Sequence, residues 1–86
     1  MTTEAELPRY TCHKTVHALQ IRNIIPDSDG HAHLTFEERD YAPIKVNADW
    51  LNRHKPKSGG YYVVYEDGYT SFSPAKAFEN GYTRDE

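Results

Sequence analysis

The clearest alternation of apolar and polar residues runs from position 31 to position 37. Ala32, Leu34 and Phe36 share one parity, and the residues between them are polar. Successive side chains of a strand point to opposite faces, so this pattern predicts a strand with those three side chains turned towards a core. The run from position 26 to position 30, Pro-Asp-Ser-Asp-Gly, predicts a turn just before it.

The preceding segment, residues 10–25, is apolar without a clear period. Leu19, Ile21 and Ile25 alternate loosely, but a helical spacing through Val16, Leu19, Arg22 and Ile25 also fits. The β-branched residues and the following proline favour a strand, with a helix as the alternative. Residues 1–8 are polar and predict a flexible leader, followed by one domain over residues 9–86.

A short strand and a short helix are predicted in the middle of the chain. Ile44 and Val46 flank an outward Lys45 and predict the third strand. Asn47 is a good N-cap for a helix over residues 48 to about 54. This helix would bury the Trp-Leu pair at positions 50 and 51 and stop before the proline at position 56.

The segment from residue 59 to residue 81 predicts a β-hairpin followed directly by a capped helix. Asp67-Gly68 is the signal of a two-residue turn, which would pair Glu66 with Tyr69 and Val63 with Phe72. That register also determines which side chains share each face of the hairpin. The core face would carry Tyr61, Val63, Tyr65, Thr70 and Phe72, and the other face Tyr62, Val64, Glu66, Tyr69 and Ser71.

The second helix is predicted from its end signals. Ser73 would be the N-cap and Pro74 the first helical residue, where a missing N–H costs nothing. Asn80-Gly81 would end the helix with a left-handed residue. The predicted order is β-β-β-α-β-β-α. We therefore expect a small α+β domain with an antiparallel, meander-like sheet of about five strands, paired in sequence order, and two short helices.

Composition narrows the class of protein. The chain has 86 residues, of which 27% are charged and 37% hydrophobic, as expected for one globular domain. No run of 18 apolar residues predicts a membrane span, and the first residues do not resemble a signal peptide. Cys12 is the only cysteine, so no intrachain disulfide can form and a reducing, cytoplasmic location is the default.

No sequence motif predicts catalysis. Cys12 and His13 are adjacent, and neighbouring side chains of a strand point to opposite faces, so they cannot act as a nucleophile and its base. Nucleophile-elbow, dinucleotide-binding and Walker A motifs are missing from the sequence. His31 and His33 are two apart and are weak candidates for metal ligands, but no motif of known spacing accompanies them. We predict no enzyme, no cofactor and no metal.

Charge and aromatic residues suggest two kinds of binding surface. Tyr62 and Tyr69, together with Trp50 and Arg53, are the predicted protein-interaction residues, because Tyr, Trp and Arg are enriched in interfaces. Arg53, Lys55 and Lys57 form a short basic segment that could contact nucleic acid. A net charge of −3 argues against the broad basic face that such proteins usually carry.

Both ends of the domain resemble small, uncharacterised proteins of tailed bacteriophages and prophages. The first motif is Tyr-x-Cys-His-Lys-x-Val-x-Ala-Leu-x-Ile, from position 10 to position 21. The second comprises Gly59 to Val63, Gly68, Ser73-Pro74, Phe78 and Gly81-Tyr82. The resemblance implies a phage-encoded protein acting in the bacterial cytoplasm or in a virion. It implies no catalytic residue.

The sequence therefore favours a non-enzymatic accessory protein of phage origin that binds a host or phage protein. A sheet face left uncovered by so small a core would also favour a homodimer. The alternative is a nucleic-acid-binding protein of phage replication or transcription control, supported only by the basic segment and the tyrosines.

Overall fold

A computed structural model describes residues 15–82. The predicted leader at residues 1–8 and the pair Cys12 and His13 lie outside the described residues. The described part contains five strands and two helices, which confirms the predicted α+β class. In chain order they are β1 (His17–Pro26), β2 (Ala32–Phe36), β3 (Ile44–Val46), α1 (Ala48–His54), β4 (Tyr61–Val64), β5 (Thr70–Ser73) and α2 (Ala75–Gly81).

The strands form one antiparallel sheet in the order β3-β2-β1-β4-β5. The long strand β1 is shared: its first residues, His17 to Gln20, pair with β4, and its later residues pair with β2. The prediction of sequential pairing is therefore wrong at one junction, because α1 carries the chain from β3 across to the far side of β1. The outer strands of this sheet are therefore β3 and β5, and α1 connects β3 with β4.

A bulge in β1 explains why its apolar period was ambiguous. Ile21 pairs with Phe36, but the next pair joins Asn23 to Thr35, so the register shifts between them. An extra residue reverses which parity faces inward. Ile24 consequently packs against the core, whereas Ile25 is 50% exposed. The segment is a strand from His17 onward, as favoured, but the loose alternation of Leu19, Ile21 and Ile25 does not continue to Ile25, which lies on the exposed side.

The hydrophobic core lies under β1 and β2 and extends to β4. Ala32, Leu34 and Phe36 are all buried, which confirms the face predicted for the second strand. The core cluster consists of Ile21, Ala32, Leu34, Phe36, Val46 and Tyr62, with Leu19, Ile24, Ile44, Trp50, Leu51, Val64 and Phe72 packed against it.

The two hairpins close with the same three-residue turn. In the β1–β2 turn, Asp27 N–H donates to the His31 carbonyl (2.7 Å) and Gly30 N–H donates to the Asp27 carbonyl (3.3 Å). In the β4–β5 turn, Tyr65 N–H donates to the Tyr69 carbonyl (2.8 Å) and Gly68 N–H to the Tyr65 carbonyl (2.9 Å). The two glycines have positive φ, 86° and 90°, as the last position of such a loop requires.

The three-residue loop changes the register predicted for the second hairpin. Tyr62 pairs with Phe72 and Val63 with Ser71, one residue away from the pairing expected for a two-residue turn. A shift of one residue exchanges the two faces of a hairpin strand. The predicted face is therefore wrong for Tyr62, which lies on the core side and is only 8% exposed. Phe72 packs against the core, as predicted.

Helix α1 follows the prediction closely. The Asn47 side chain accepts a hydrogen bond from Trp50 N–H (2.8 Å), as expected of an N-cap. The helix ends at His54, and the C-cap residue Lys55 has a φ of 46° and donates its N–H to the Leu51 carbonyl. Trp50 and Leu51 are half-buried and pack against the core rather than lying within it.

Helix α2 exists as predicted, but its ends differ. Ser73 is the last residue of β5, Pro74 is the N-cap, and no side chain caps the helix. Gly81 is the last helical residue, and Tyr82 follows in an extended conformation. Stacked rings attach α2 to the sheet instead: the ring centroids of Tyr61 and Phe78 are 4.3 Å apart. Neither α1 nor α2 is long enough to span a membrane, and no other helix occurs within residues 15–82.

Candidate protein-interaction site

A continuous row of rings connects α1 with the β4–β5 hairpin. The Trp50 and His54 ring centroids lie 4.6 Å apart, those of His54 and Tyr69 6.2 Å, and those of Tyr69 and Tyr65 5.8 Å. We call these four residues the aromatic row. Trp50 and His54 are four positions apart on α1 and therefore share one helix face.

The inner end of the aromatic row is fixed by the core. Trp50 Nε1 donates a hydrogen bond to Thr70 Oγ1 at 3.0 Å, which ties α1 to β5. The Trp50 ring also packs on Tyr62 at 5.8 Å between centroids. At the outer end Tyr69 is 50% exposed. The row thus presents an exposed aromatic ring on a rigid support, an arrangement that is typical of protein interfaces.

The structure brings most of the predicted interaction residues to one side of the molecule. Trp50 and Tyr69 are joined through His54, and Arg53 is exposed on the same helix. Tyr62 is the exception, because it is buried beneath Trp50 and cannot offer its ring to a partner. An interaction role for the other three stays a prediction.

An open groove at the tip of the β4–β5 hairpin continues the aromatic row. It has a volume of about 410 Å³ and is lined by Thr15, Tyr65, Glu66, Asp67 and Tyr69. We call it the hairpin-tip groove. This groove is not among the surfaces predicted from the sequence, because the two-residue turn places Tyr65 on the core face. The available signal was the Tyr-x-x-x-Tyr spacing around Glu-Asp-Gly, which in a three-residue loop places both tyrosines at the base of the turn.

The basic segment does not build a nucleic-acid groove. Arg53, Lys55 and Lys57 are all exposed and lie at or just beyond the C-terminal end of α1, where the helix dipole favours positive charge. The groove nearest to the tyrosines is lined by the carboxylates of Glu66 and Asp67, which would repel phosphates. The nucleic-acid hypothesis therefore gains no support from this arrangement.

His31 and His33, the weak metal candidates, each face a carboxylate near the β1–β2 turn. His33 Nδ1 lies 3.3 Å from Asp27 Oδ2, and His31 Nδ1 lies 3.9 Å from Asp29 Oδ2. Lys45 Nζ lies 4.0 Å and 3.6 Å from the same two carboxylates, so an ammonium already provides their positive partner. Within residues 15–82 no three His, Cys, Asp or Glu side chains are placed to hold a metal ion.

His54 gives the aromatic row a pH dependence. Burial lowers the pKa of His54 below its ordinary 6.5, and the neighbouring Arg53 lowers it further. At pH values between the pKa of His54 in the folded protein and its pKa in the unfolded chain, the unfolded chain binds more protons than the folded protein. The free energy of unfolding therefore rises with pH in this range. The contribution of His54 to the free energy of unfolding is fully present above pH 6.5, and it is lost as the pH falls through the lowered pKa of the folded state.

We therefore expect His54→Gln to flatten the decline of stability on acidification. The measurement is urea denaturation of both proteins at a series of pH values from about 7.5 to about 5. The other four histidines, His13, His17, His31 and His33, are present in both proteins, so the difference between the two curves isolates His54. Parallel curves over this range would contradict the assignment.

Comparison with known proteins identifies one similar structure. No protein-family model and no curated protein sequence matches the chain. Among solved structures, the chain is similar to the monomeric form of the phage L decoration protein, determined in solution by NMR. The two are 33% identical, with a TM-score of 0.66 over 81% of this chain and 52% of that protein.

The similarity concerns both sequence and fold. It agrees with the resemblance to phage proteins, and the fold matches that of a phage decoration protein. The chain spans about half the length of the phage L protein.

Proposed function

We propose that this protein is a phage-encoded decoration protein, which attaches without catalysis to the capsid protein of a virion. The observation that supports this proposal most strongly is the joint agreement of fold and sequence with the phage L decoration protein, at 33% identity over 81% of the chain. The proposal places the protein in the infected bacterial cytoplasm during assembly and on the virion afterwards.

The surface of the domain supports a protein partner. Interfaces are rich in Tyr, Trp and Arg supported by a rigid frame, and the aromatic row with Arg53 combines all three. Tyr69 is the row's most exposed ring and thus the residue that a partner would cover. A host protein, the other partner that the sequence left open, would use the same surface, and the similarity to a phage decoration protein is what favours a capsid protein.

The test is co-sedimentation with capsids. Purified protein is mixed with particles assembled from the major capsid protein of the phage that encodes it, and bound protein is measured in the pellet with and without nuclease. We expect saturable binding that survives nuclease treatment. Absence of saturation with intact particles would overturn the proposal, and binding that disappears with nuclease would favour the nucleic-acid alternative.

Oligomeric state is tested on the same sample. A homodimer remains the expectation from the small core, and light scattering of the free protein decides it. A monomer would remove the homodimer and leave the capsid-binding proposal intact, since the two rest on different observations.

A further inference from the structure

We propose that the hairpin-tip groove receives an arginine or lysine side chain from the surface of the partner protein. The inference deepens the proposed function and rests on it for the identity of the partner. In this proposal the groove binds a cationic side chain, with aromatic rings on one side of the cation and carboxylates on the other.

The walls of the groove suit a cation. Tyr65 and Tyr69 contribute two rings whose centroids are 5.8 Å apart with an angle of 37° between their planes. The face of a tyrosine ring attracts a guanidinium or ammonium group within about 6 Å of its centroid. Tyr69 is half exposed and Tyr65 partly so, and both line the same opening.

The rim of the groove supplies negative charge that has no cationic partner within residues 15–82. Glu66 and Asp67 are exposed, and no Lys, Arg or His of residues 15–82 forms an ion pair with either carboxylate. Asp67 is nevertheless held in place, because its Oδ1 accepts a hydrogen bond from Tyr69 N–H at 3.0 Å. One carboxylate is thus oriented in advance beside the two rings.

The matching turn at the other hairpin shows what such a carboxylate binds. Asp29 is the counterpart of Asp67: its Oδ1 accepts a hydrogen bond from His31 N–H at 3.1 Å. There the chain supplies its own cation, with Lys45 Nζ 3.6 Å from Asp29 Oδ2. At Asp67 the same geometry recurs without a cation from the described part of the chain. A cation from a second protein would complete it.

The neighbouring histidine does not compensate this charge. His54 touches Tyr69 from the α1 side, and its pKa is lowered by burial and by Arg53, so the ring is neutral at neutral pH. The groove therefore keeps its negative charge where the partner would bind. Charge complementarity of this kind sets partner choice and association rate.

The first experiment probes the groove without a capsid. N-acetyl-arginine amide is titrated into ¹⁵N-labelled protein, with the neutral isostere N-acetyl-citrulline amide in parallel. We expect millimolar binding of the arginine compound, with amide shifts concentrated at residues 65–69 and little effect of the citrulline compound. Equal shifts for both compounds, or shifts spread elsewhere, would overturn the inference.

A charge-neutral variant and a matched control sharpen the result. Glu66→Gln with Asp67→Asn removes both charges but keeps an oxygen for the Tyr69 N–H. Glu37→Gln with Asp40→Asn removes the same charge from exposed residues elsewhere on the surface. We expect about a tenfold loss of arginine binding in the first double variant and none in the second.

Capsid co-sedimentation separates the two proposals. Capsid binding that is weaker in the Glu66/Asp67 variant and unchanged in the Glu37/Asp40 variant supports both proposals. Capsid binding that is unchanged in that variant overturns the groove inference and leaves the proposed function standing. Arginine binding at residues 65–69 without any capsid binding has the opposite meaning: the groove is a cation site, and the decoration function is wrong.

Discussion

Tyr62→Ala should lower the free energy of unfolding by about 3–5 kcal/mol, the usual loss when a large buried aromatic is truncated. The Tyr62 ring is 8% exposed and packs against Phe36 at 6.0 Å and Trp50 at 5.8 Å between centroids. Its removal would leave a cavity where β4 meets the core and α1. Urea denaturation followed by far-UV circular dichroism measures the loss.

Tyr69→Ala is the matched control for this substitution. The same side chain is removed from a position that is 50% exposed, so we expect a change within about 1 kcal/mol. For capsid binding we expect Tyr69→Ala to have a large effect, weakening the binding although the variant stays folded. Similar stability losses for the two variants would contradict the assignment of Tyr62 to the core and Tyr69 to the surface.

Gly60→Ala should be the second strongly destabilising change, with a loss of about 1–3 kcal/mol from overpacking. A Cβ at position 60 would collide with the Phe72 ring and lie 2.8 Å from the Ser73 carbonyl oxygen. The backbone cannot easily retreat, because the Gly60 carbonyl accepts a hydrogen bond from Ile21 N–H at 2.8 Å. The shift in thermal midpoint relative to the parent protein reports the effect.

Gly81→Ala provides the control for glycine replacement as such. A Cβ there meets nothing within 4 Å, and Gly81 lies in α2 without a positive φ. We expect this variant to gain about 0.4–1 kcal/mol, because alanine loses less chain entropy on folding. If both variants behaved alike, the close approach of Phe72 to Gly60 would not be a determinant of stability.

Features that depend on a few neighbouring residues were predictable from the sequence. The start of α1 follows from Asn47, whose side chain accepts a hydrogen bond from the N–H of Trp50, three residues further on. The inward face of β2 follows from strict alternation over five residues. In the first case a single local hydrogen bond determines the structure, and in the second a single repeating pattern of apolar residues does so. Neither depends on contacts with distant parts of the chain.

Register and sheet order were not predictable, for two physical reasons. An Asp-Gly pair closes either a two-residue or a three-residue loop, and the choice here moved Tyr62 from the surface to the core. The pairing of β1 with β4 is non-local, and no local signal encodes it. The error at Tyr62 and the missed groove at Tyr65 both come from that single choice of loop length.

The position of β1 between the two halves of the sheet determines how the chain assembles. Short connections join β1 to β2 and β2 to β3, and another joins β4 to β5. The contact of β1 with β4, in contrast, brings together residues that are distant in the sequence, such as Gln20 and Gly59, 39 positions apart. Closing that long loop has the largest entropic cost, so we expect this ladder to form last. Until then, two molecules can exchange their β4–β5 hairpins, each completing the sheet of the other with native contacts alone. Concentrated refolding is therefore the condition under which intertwined pairs of this protein should appear.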